Sequence, residues 1–369
     1  MPFVTFFPLQ KHHQSIEREL KQAFAKIIAK GRFILDEEVD RFEKELASFH
    51  RMKHCVSLGN GHDAILISLK ALGIGKGDEV IVPSHTFMAT WLAVVNAGAK
   101  PVPVEVDEST YNINHNRIEE KISSKTKAII PVHLYGYPCE MDKINSAAKK
   151  NNSFVIEDNA QAHGAFFKNK MTGSWGDCNA TSFYPIKNLG ALGDGGAILT
   201  NNKKLFEFAK AFRNYGSTKK GFFEIQGINS RLDELQAAIL RVKLKRLNAE
   251  NESRRKNAAI YFEELKDVKE IKLPPPESKT VSPVFHQFVV RTSERKKLTE
   301  FLKKKGVQTA IHYPEPIHTQ KAFANLGYKK GSLPIAEKIS KEVLSLPIWP
   351  GLKKSEVNYV ADAVRKFYL

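Results

Sequence analysis

A lysine set among small and apolar residues is the part of this sequence with the clearest chemistry. Lys187 lies in the tract SFYPIKNLGALGDGGA, residues 182–197, whose glycines allow close backbone approach. Burial lowers the pKa of a lysine, and its neutral amine then condenses with an aldehyde. Upstream, the run FVIED predicts a buried strand that ends at Asp158. Separately these would be a solvated lysine and an ion-paired acid, but together they match the needs of pyridoxal 5'-phosphate (PLP).

Other positions could bind such a cofactor, and each also has an ordinary structural interpretation. Residues 60–63 (NGHD) precede a predicted helix, whose N-terminus suits a phosphate but is equally a capped helix with an acid in its first turn. Phe87 could stack on a flat ring or belong to the core. Gln161, three residues after Asp158, could hydrogen-bond the phenolic oxygen of the cofactor, and Ser182 could reach its phosphate.

The composition is that of an ordinary globular protein. With 369 residues, 42% of them hydrophobic, the chain can bury one large core or two unequal ones. No apolar run is long enough to span a membrane, and the short N-terminal apolar stretch, broken by prolines, does not resemble a signal peptide. The widely spaced Cys55, Cys139 and Cys178 predict neither disulfides nor a metal site. We therefore expect a cytoplasmic protein that binds no metal and no membrane.

The formal net charge of +17 could indicate an anionic partner such as nucleic acid. The lysines are, however, spread over predicted amphipathic helices, and the sequence has no nucleic-acid recognition motif. We expect solvated helix faces, one or two cations that meet an anionic small substrate, and no nucleic-acid partner. The alternative from another functional class is a basic nucleic-acid-binding regulator that keeps a vestigial PLP fold.

Predicted strands alternate with predicted helices in the first half of the chain. Helices are expected at 15–30, Glu37–Phe49, 64–72, 87–98 and 139–151, and strands at Glu79–Pro83, 101–106, 128–132 and Phe154–Asp158. This order predicts an α/β fold, with a mainly parallel sheet that helices cover on both faces. A ligand binds such a sheet at the carboxyl ends of its strands, where Asp158 would lie.

The second half of the chain has a different pattern. It predicts a long helix or helical pair at 230–265 with Ser230 as N-cap, followed by a proline-rich loop. A strand at 285–291, a helix at 295–305 and a strand at 308–312 would complete a compact α+β unit. We therefore predict a large domain over residues 1–245 and a smaller C-terminal domain over residues 246–369.

Several motifs together resemble a known family. They are residues 77–84 (GDEVIVPS) with Thr86 and Phe87, residues 155–164 (VIEDNAQAHG), the Lys187 tract and residues 229–238 (NSRLDELQAA). Over nearly its whole length the chain resembles the DegT/DnrJ/StrS family of PLP-dependent nucleotide-sugar aminotransferases. The resemblance implies the fold type I architecture of aspartate aminotransferase, with a large mainly parallel-sheet domain and a smaller C-terminal α+β domain.

The resemblance also implies roles for matched residues. The implied cofactor contacts are Lys187, bound covalently to the PLP aldehyde, Asp158 at the pyridine nitrogen, Gln161 and Phe87 at the ring, and Gly61, His62 and Ser182 at the phosphate. Asn229 would reach the cofactor phosphate of a neighbouring subunit, so a homodimer with shared active sites is implied. Two residues depart from the family pattern. His62 replaces the usual Thr or Ser and leaves only a backbone contact, and Asn159 replaces the usual Ala, without an evident interpretation.

Within the family, residues 188–194, 213–217, 311–316 and 344–348 resemble those of 3-aminotransferases that act on dTDP-3-keto-6-deoxyhexoses. The implied substrate contacts are Tyr184, His312 and Tyr313, with Lys219 or Lys220 at the diphosphate, although such residue pairs are also common in ordinary packing. L-glutamate is the expected amino donor, and a deoxyamino sugar for a surface polysaccharide is the expected product.

Two kinds of alternative remain inside the family. The first is transamination at C4, or of a UDP-linked sugar, which the motifs after Lys187 disfavour only in part. The second is a PLP-dependent sugar dehydratase. Those enzymes resemble this chain but carry histidine in place of the lysine, so Lys187 argues against it.

Overall fold

The computed structural model describes residues 3–219 and 221–369, so the predicted substrate contact Lys220 lies outside the described residues. The α-helices are α1 (Leu9–Gln14), α2 (Glu17–Lys30), α3 (Glu37–Phe49), α4 (Gly61–Ala71), α5 (Met88–Asn96), α6 (Met141–Lys150), α7 (Lys203–Phe212), α8 (Glu234–Leu244), α9 (Leu247–Leu265), α10 (Arg295–Lys304), α11 (Pro334–Glu342) and α12 (Lys354–Tyr368). The strands are β1 (His54–Leu58), β2 (Glu79–Pro83), β3 (Lys100–Val104), β4 (Thr126–Ile129), β5 (Phe154–Asp158), β6 (Phe166–Phe167), β7 (Lys170–Met171), β8 (Cys178–Ser182), β9 (Gly196–Thr200), β10 (Ser217–Lys219), β11 (Phe222–Phe223), β12 (Val281–Ser282), β13 (Phe288–Arg291) and β14 (Val343–Leu346).

Seven of the described strands form the central sheet, in the order β1-β9-β8-β5-β4-β2-β3. The run from β3 to β8 is parallel, whereas β9 is antiparallel to both of its neighbours. The carboxyl ends of β2, β5 and β8 therefore meet at one edge of the sheet. The predicted α/β fold with a mainly parallel sheet is confirmed, and β2 and β5 have the predicted bounds.

Both faces of this sheet are covered, because alternate strand residues point to opposite sides. Val80 and Ile156 pack with α4 and α5 in one apolar cluster. Ile81 and Val155, their neighbours in the sequence, pack with α6 in another. The near-continuous apolar runs of β2 and β5 thus reflect burial on two faces, as is usual for a parallel sheet.

A second large core lies in the C-terminal part of the chain. It joins α9, α10 and α12 to the antiparallel pair β13–β14, and Val4 from the N-terminal segment packs in it. The predicted strand at 308–312 is wrong. That segment contains one isolated bridge, Ala310–Ser345, and Val307 just before it forms another with Val4, so no continuous ladder pairs along its length.

The segment 230–265 is a helical pair, α8 and α9, and the chain breaks the helix at residues 245–246. The predicted domain limit falls at this break, and the division into two domains remains a prediction. The predicted N-cap was wrong, since α8 begins after Asp233. The hydroxyl of Ser230 instead accepts a hydrogen bond from the backbone N–H of Gly59 at 3.0 Å.

The structure also bears on membrane spans, free thiols and metal ligands. Within residues 3–219 and 221–369, no helix is long and apolar enough to cross a membrane. Cys55, Cys139 and Cys178 are buried free thiols. The same described residues contain no group of three or more His, Cys, Asp or Glu side chains that could hold a metal ion.

Candidate active site

A cavity of about 640 Å³ opens at the carboxyl ends of β2, β5 and β8. Most of the residues predicted from the sequence line it, namely Gly61, His62, Phe87, Asp158, Gln161, Ser182, Tyr184, Lys187, His312 and Tyr313. They come from five separate chain segments, which the sheet topology brings together. Asn229 and Lys219 do not line this cavity.

Lys187 lies in the loop between β8 and β9. Its backbone N–H donates to the carbonyl of Tyr184 at 2.8 Å, which closes a tight turn around the lysine. Gly190 permits this turn, because a Cβ there would lie 2.3 Å from the carbonyl oxygen of Pro185. Burial lowers the pKa of Lys187 to about 8, and the nearby Asp158 carboxylate opposes that shift. A substantial fraction of the amine is therefore neutral near physiological pH.

Asp158 ends β5 and is buried. Its carboxylate accepts hydrogen bonds from the Thr90 hydroxyl and the Ala160 backbone N–H, both at 3.1 Å. Burial raises the pKa of Asp158, while these donors and the charge of Lys187 act in the opposite direction. The site thus holds an acid that gains stability as an anion when a cation is placed next to it.

The preceding residue, Glu157, points to the other face of the sheet and is fully buried. It accepts hydrogen bonds from the ring of His133 and the backbone N–H of Trp175, each at 2.7 Å, and from the N–H of Gly173. Burial favours the neutral acid, but these donors hold the pKa of Glu157 below its ordinary value. Glu157 therefore anchors the strand end that presents Asp158.

The start of α4 forms one end of the cavity. Asn60 is the N-cap and accepts a hydrogen bond from the Asp63 N–H at 2.8 Å. The N–H groups of Gly61 and His62, in the first turn, have no acceptor within the helix. A Cβ at position 61 would lie 2.5 Å from the Cβ of Ser182, so only glycine lets the helix N-terminus approach β8 this closely. Free N–H groups, a helix dipole and the serine hydroxyl suit a phosphate.

The imidazole of His62 is turned to its own neighbours. Its Nδ1 lies 3.0 Å from a carboxylate oxygen of Asp63, and its Nε2 lies 3.1 Å from the Asn96 side-chain amide. Both ring nitrogens are therefore engaged. This geometry explains how histidine replaces a small hydroxyl residue here, because the backbone N–H stays available while the ring is held aside.

Aromatic rings form part of the cavity wall. Phe87 is 51% exposed, unusual for a phenylalanine in a folded chain, and its ring centroid lies 5.5 Å from that of Tyr313. Gln161 accepts from the Tyr135 N–H at 2.8 Å and donates to the Tyr313 hydroxyl at 3.2 Å. An exposed ring and a fixed amide are thus available to a flat ligand.

His312 and Tyr184 also line the cavity. Nδ1 of His312 lies 2.8 Å from the Ser345 hydroxyl, and burial lowers the His312 pKa to about 4, so the ring is neutral. Tyr184 is 52% exposed. Both positions fit residues that contact a polar substrate.

Among the polar residues that line the cavity, four had no role assigned from the sequence: Thr90, Asp194, His286 and Gln287. The Thr90 hydroxyl, in the first turn of α5, donates to Asp158 and lies 3.2 Å from the hydroxyl of Thr86, which precedes the helix. His286 is buried, and its Nδ1 lies 3.1 Å from the amide oxygen of Asn188, the residue after Lys187. Nothing local in the sequence distinguishes it.

Asn229 and Lys219 lie on the surface outside the cavity. Asn229 is exposed and pairs with Asn214 in an isolated bridge. Lys219 lies in the exposed β10–β11 hairpin, where its amine is 5.9 Å from the centre of the Phe222 ring. Within one chain, neither residue lines the cavity that holds Lys187.

The residues that line this cavity fit PLP. Lys187 supplies an amine with a lowered pKa, and Asp158 supplies a buried carboxylate for a pyridinium nitrogen. Gly61 leaves, beside Ser182, a cradle that a Cβ would fill. These features together match the aldehyde, the ring nitrogen and the phosphate of one cofactor.

Comparisons with known proteins agree with this geometry. A family model described as the DegT/DnrJ/EryC1/StrS aminotransferase family matches residues 14–365. The dTDP-3-amino-3,6-dideoxy-alpha-D-galactopyranose transaminase of Aneurinibacillus thermoaerophilus is 48% identical over 99% of each chain. A UDP-N-acetyl-3-dehydro-alpha-D-glucosamine 3-aminotransferase of Acidithiobacillus ferrooxidans is 40% identical over 97% of this chain and 96% of its own.

A solved structure is similarly close. The crystal structure of S. venezuelae DesV in complex with a ketimine intermediate matches with a TM-score of 0.98 at 42% identity, and the match covers 100% of this chain and 99% of that one. The expected fold type I architecture, the PLP cofactor and the transaminase activity are thereby confirmed. The chain belongs to the DegT/DnrJ/EryC1/StrS aminotransferase family and is a PLP-dependent sugar aminotransferase.

Proposed function

We propose that the protein transfers the amino group of L-glutamate to the C3 ketone of a dTDP-3-keto-6-deoxyhexose. The products are 2-oxoglutarate and a dTDP-3-amino-3,6-dideoxyhexose, a precursor for a surface polysaccharide. The observation that carries the proposal is the Lys187 amine, with a pKa of about 8, in one cavity with Asp158. The choice of sugar is supported by the 48% identity to the dTDP-3-amino-3,6-dideoxygalactose transaminase.

The residues of the cavity divide the work as follows. Bound PLP supplies an electron sink that stabilises a carbanion on the amino acid or the sugar. Lys187, once its amine is free, would take the proton from Cα of the donor and deliver it to the cofactor carbon that carries the nitrogen, and would move a proton in the reverse direction for the sugar. Asp158 holds the positive charge of the ring nitrogen, and the α4 N-terminus with Ser182 holds the phosphate.

The outer residues are proposed to bind the sugar nucleotide. Tyr184, His312 and Tyr313 line the same cavity as Lys187, where a hexose would contact them. His312 is neutral and Tyr184 is exposed, so both offer hydrogen bonds without adding charge. Lys219 is proposed to meet the diphosphate.

The exposed position of Asn229 motivates a further part of the proposal. Asn229 directly precedes Ser230, whose hydroxyl accepts a hydrogen bond from the backbone N–H of Gly59, just before α4. It therefore lies on the surface near the phosphate end of the site but outside its cavity. We propose that it reaches the cofactor phosphate of a second subunit in a homodimer with shared active sites.

A second candidate function has a specific observation in its favour. The 40% identical A. ferrooxidans relative is named for a UDP-linked 3-keto sugar. A UDP-sugar 3-aminotransferase is therefore the alternative, and transamination at C4 is a further one. The two nucleotides differ only in the base and the ribose, so the amino-transfer chemistry at Lys187 is the same for either substrate.

Purified enzyme incubated with L-glutamate and each keto sugar tests the proposal. We expect amino transfer to the dTDP-3-keto-6-deoxyhexose, with the nitrogen placed at C3 by NMR of the product, and at least tenfold lower kcat/KM for the UDP-3-keto sugar. Preferred turnover of the UDP sugar, or an amine at C4, would replace the dTDP C3 assignment by the alternative.

The role of Lys187 has its own test. Lys187→Ala should abolish turnover, while Lys303→Ala, a matched loss of an exposed lysine in α10, should keep it. With L-glutamate alone, the visible absorption of bound PLP should collapse to the near-ultraviolet band of the aminated cofactor. Full turnover by Lys187→Ala would rule out the assignment of Lys187.

A further inference from the structure

A buried side-chain amide directly follows Lys187. Asn188 is 7% exposed, and it does not line the active-site cavity. Its Nδ2 donates to the Asn251 amide oxygen at 2.8 Å and to the Val284 carbonyl at 3.2 Å, while its Oδ1 lies 3.1 Å from Nδ1 of His286. The residue next to Lys187 is therefore held by three contacts with segments that lie 63 to 98 residues away in the sequence.

The partners fix which end of each polar group faces which neighbour. Asn251 donates through its nitrogen to the His163 carbonyl at 2.8 Å, so its oxygen is the end that faces Asn188. The nitrogen of Asn188 is committed to two oxygens, and its own oxygen is left to accept from Nδ1 of His286. Burial and the charge of Lys187 lower the pKa of His286 well below its ordinary value, so the ring is neutral and its proton is on Nδ1. Each donor and acceptor of this network thus has one possible role.

The backbone is shaped to admit the Asn251 amide. Asn251 is 1% exposed and lies near the start of α9. Gly164, directly after His163, has a φ of +81°, a left-handed conformation that favours glycine. A Cβ at position 164 would lie 2.8 Å from the Asn251 nitrogen. The glycine therefore leaves the space that the amide occupies.

The network joins the two loops that carry the chemistry. His163 lies five residues after Asp158, in the loop that leaves β5. Asn188 lies in the loop between β8 and β9, which carries Lys187. Asn251 is bonded to both loops, at the His163 carbonyl and at the Asn188 amide. Because a cofactor that meets Asp158 at its ring nitrogen must meet Lys187 at its aldehyde, the spacing of these two loops decides whether the reacting atoms are aligned.

We propose that Asn188 is a positioning residue for Lys187. Its contacts with Asn251 and His286 keep the Lys187 amine at the spacing from Asp158 that PLP requires. The amine needs this position when it adds to the aldehyde carbon, whose oxygen leaves as water, and again when it takes the proton from the amino donor. Since Asn188 does not line the cavity, its loss should slow these steps without weakening the binding of the donor.

Reconstitution of the apoprotein with PLP tests the first step and needs no amino donor. We expect the visible absorption of the lysine-bound cofactor to appear at least about tenfold more slowly in Asn188→Ala than in the native protein, since a shift of the amine by about 1 Å is enough. Asn257→Ala is the matched control. Asn257 is also a buried amide, and it donates to the Leu352 carbonyl at 3.1 Å in the C-terminal core. Its loss should leave the reconstitution rate within about twofold of the native rate.

Two substitutions at His286 separate the network from a general loss of folding. His286→Leu removes the donor to Asn188, whereas in His286→Asn the amide nitrogen takes the place of Nδ1. Both variants lose Nε2, so their comparison isolates the bond to Asn188. His286→Leu should slow reconstitution as Asn188→Ala does, and His286→Asn should be at least about fivefold faster than His286→Leu.

A single turnover of the PLP-loaded enzyme measures the proton transfer, and it rests on L-glutamate as the donor of the proposed function. The loss of visible absorption is followed with L-glutamate that carries hydrogen or deuterium at Cα. In Asn188→Ala we expect a rate at least about tenfold lower at saturating L-glutamate, a larger deuterium isotope effect, and a half-saturating concentration changed less than about threefold. Asn257→Ala should match the native enzyme in all three quantities.

The contrary results are specific. Native-like reconstitution in Asn188→Ala, or equal slowing in Asn257→Ala, would overturn the proposal. So would a His286→Asn variant as slow as His286→Leu, or a slower turnover that came entirely from a raised half-saturating concentration. A native enzyme that does not respond to L-glutamate would instead refute the proposed donor, and the reconstitution rates would still decide the role of Asn188.

Discussion

The buried position of Lys187 predicts an unusual titration, which can be measured without any turnover. Desolvation lowers its pKa to about 8, against an ordinary lysine value of ~10.4. At about pH 7.5, a pKa of about 8 leaves roughly a quarter of the amine neutral, whereas an ordinary lysine would be neutral in roughly 0.1% of molecules. Burial thus raises the reactive fraction about two-hundredfold.

Changing Asp158 to asparagine separates the two causes of this shift. The carboxylate of Asp158 opposes the desolvation of Lys187. Asp158→Asn keeps the burial and removes the charge, so the titration midpoint of Lys187 should fall below about 8. Asp194→Asn is the matched control, since Asp194 also lines the cavity but is not among the causes of the shift. Its midpoint should stay at about 8.

Site-resolved labelling provides the assay. The apoprotein is pulsed with trace acetic anhydride between about pH 6 and pH 11, and mass spectrometry quantifies acetylation of the Lys187 peptide against free Nα-acetyl-lysine. A midpoint near ~10.4 in the native protein would refute the reasoning about burial. A midpoint that rises or does not move in Asp158→Asn would refute the electrostatic role of Asp158.

Three further perturbations follow from the geometry. Gly61→Ala should weaken PLP binding more than about tenfold in a fluorescence titration, because its Cβ would lie 2.5 Å from that of Ser182; unchanged affinity would argue against a phosphate site at α4. His62→Ala should change the same affinity less than about threefold, since the imidazole is held aside, and a loss as large as that of Gly61→Ala would show a side-chain contact. Glu157→Gln should lower the free energy of unfolding by roughly 3 kcal/mol in urea at neutral pH, because the buried acceptor of His133 loses its charge. The pKa of Glu157 is lowered in the fold, so this difference should be full above the ordinary glutamate pKa of ~4.3 and shrink as the pH falls; a difference that grew in acid would contradict the assignment.

The strands that carry the site were predictable because their signal is local. Runs such as EVIVP and FVIED are apolar on both faces and end at turn residues, and β2 and β5 have the predicted bounds. The Lys187 tract was also predictable, because its glycines permit short-range turns such as the one at Gly190. Because the carboxyl ends of parallel strands meet at one edge of a sheet, the residues that follow these strands could be expected to lie close together.

The failures involve contacts between residues that are distant in sequence. The hydroxyl of Ser230 looked like a helix cap, yet its partner is Gly59, 171 residues away. The segment at 308–312 has the composition of a strand, but no neighbouring segment of the protein pairs with it along its whole length. His286 contacts Asn188 across 98 residues, so no local pattern marks it as part of the site. The role of a residue is predictable when its contact lies nearby in the sequence, and it is not predictable when the fold brings the contact from a distant segment.

Adjacent Glu157 and Asp158 show how one strand serves both stability and chemistry. They point to opposite faces, and both are buried, yet their pKa values move in opposite directions. The difference lies in the donors, since Glu157 receives a histidine ring and several backbone N–H groups, whereas Asp158 receives one hydroxyl and one N–H. Asp158 therefore keeps acceptor capacity that only a ligand cation can use. Filling that capacity from within the protein, as the fold does for Glu157, would stabilise the strand and leave nothing for a pyridinium nitrogen to gain.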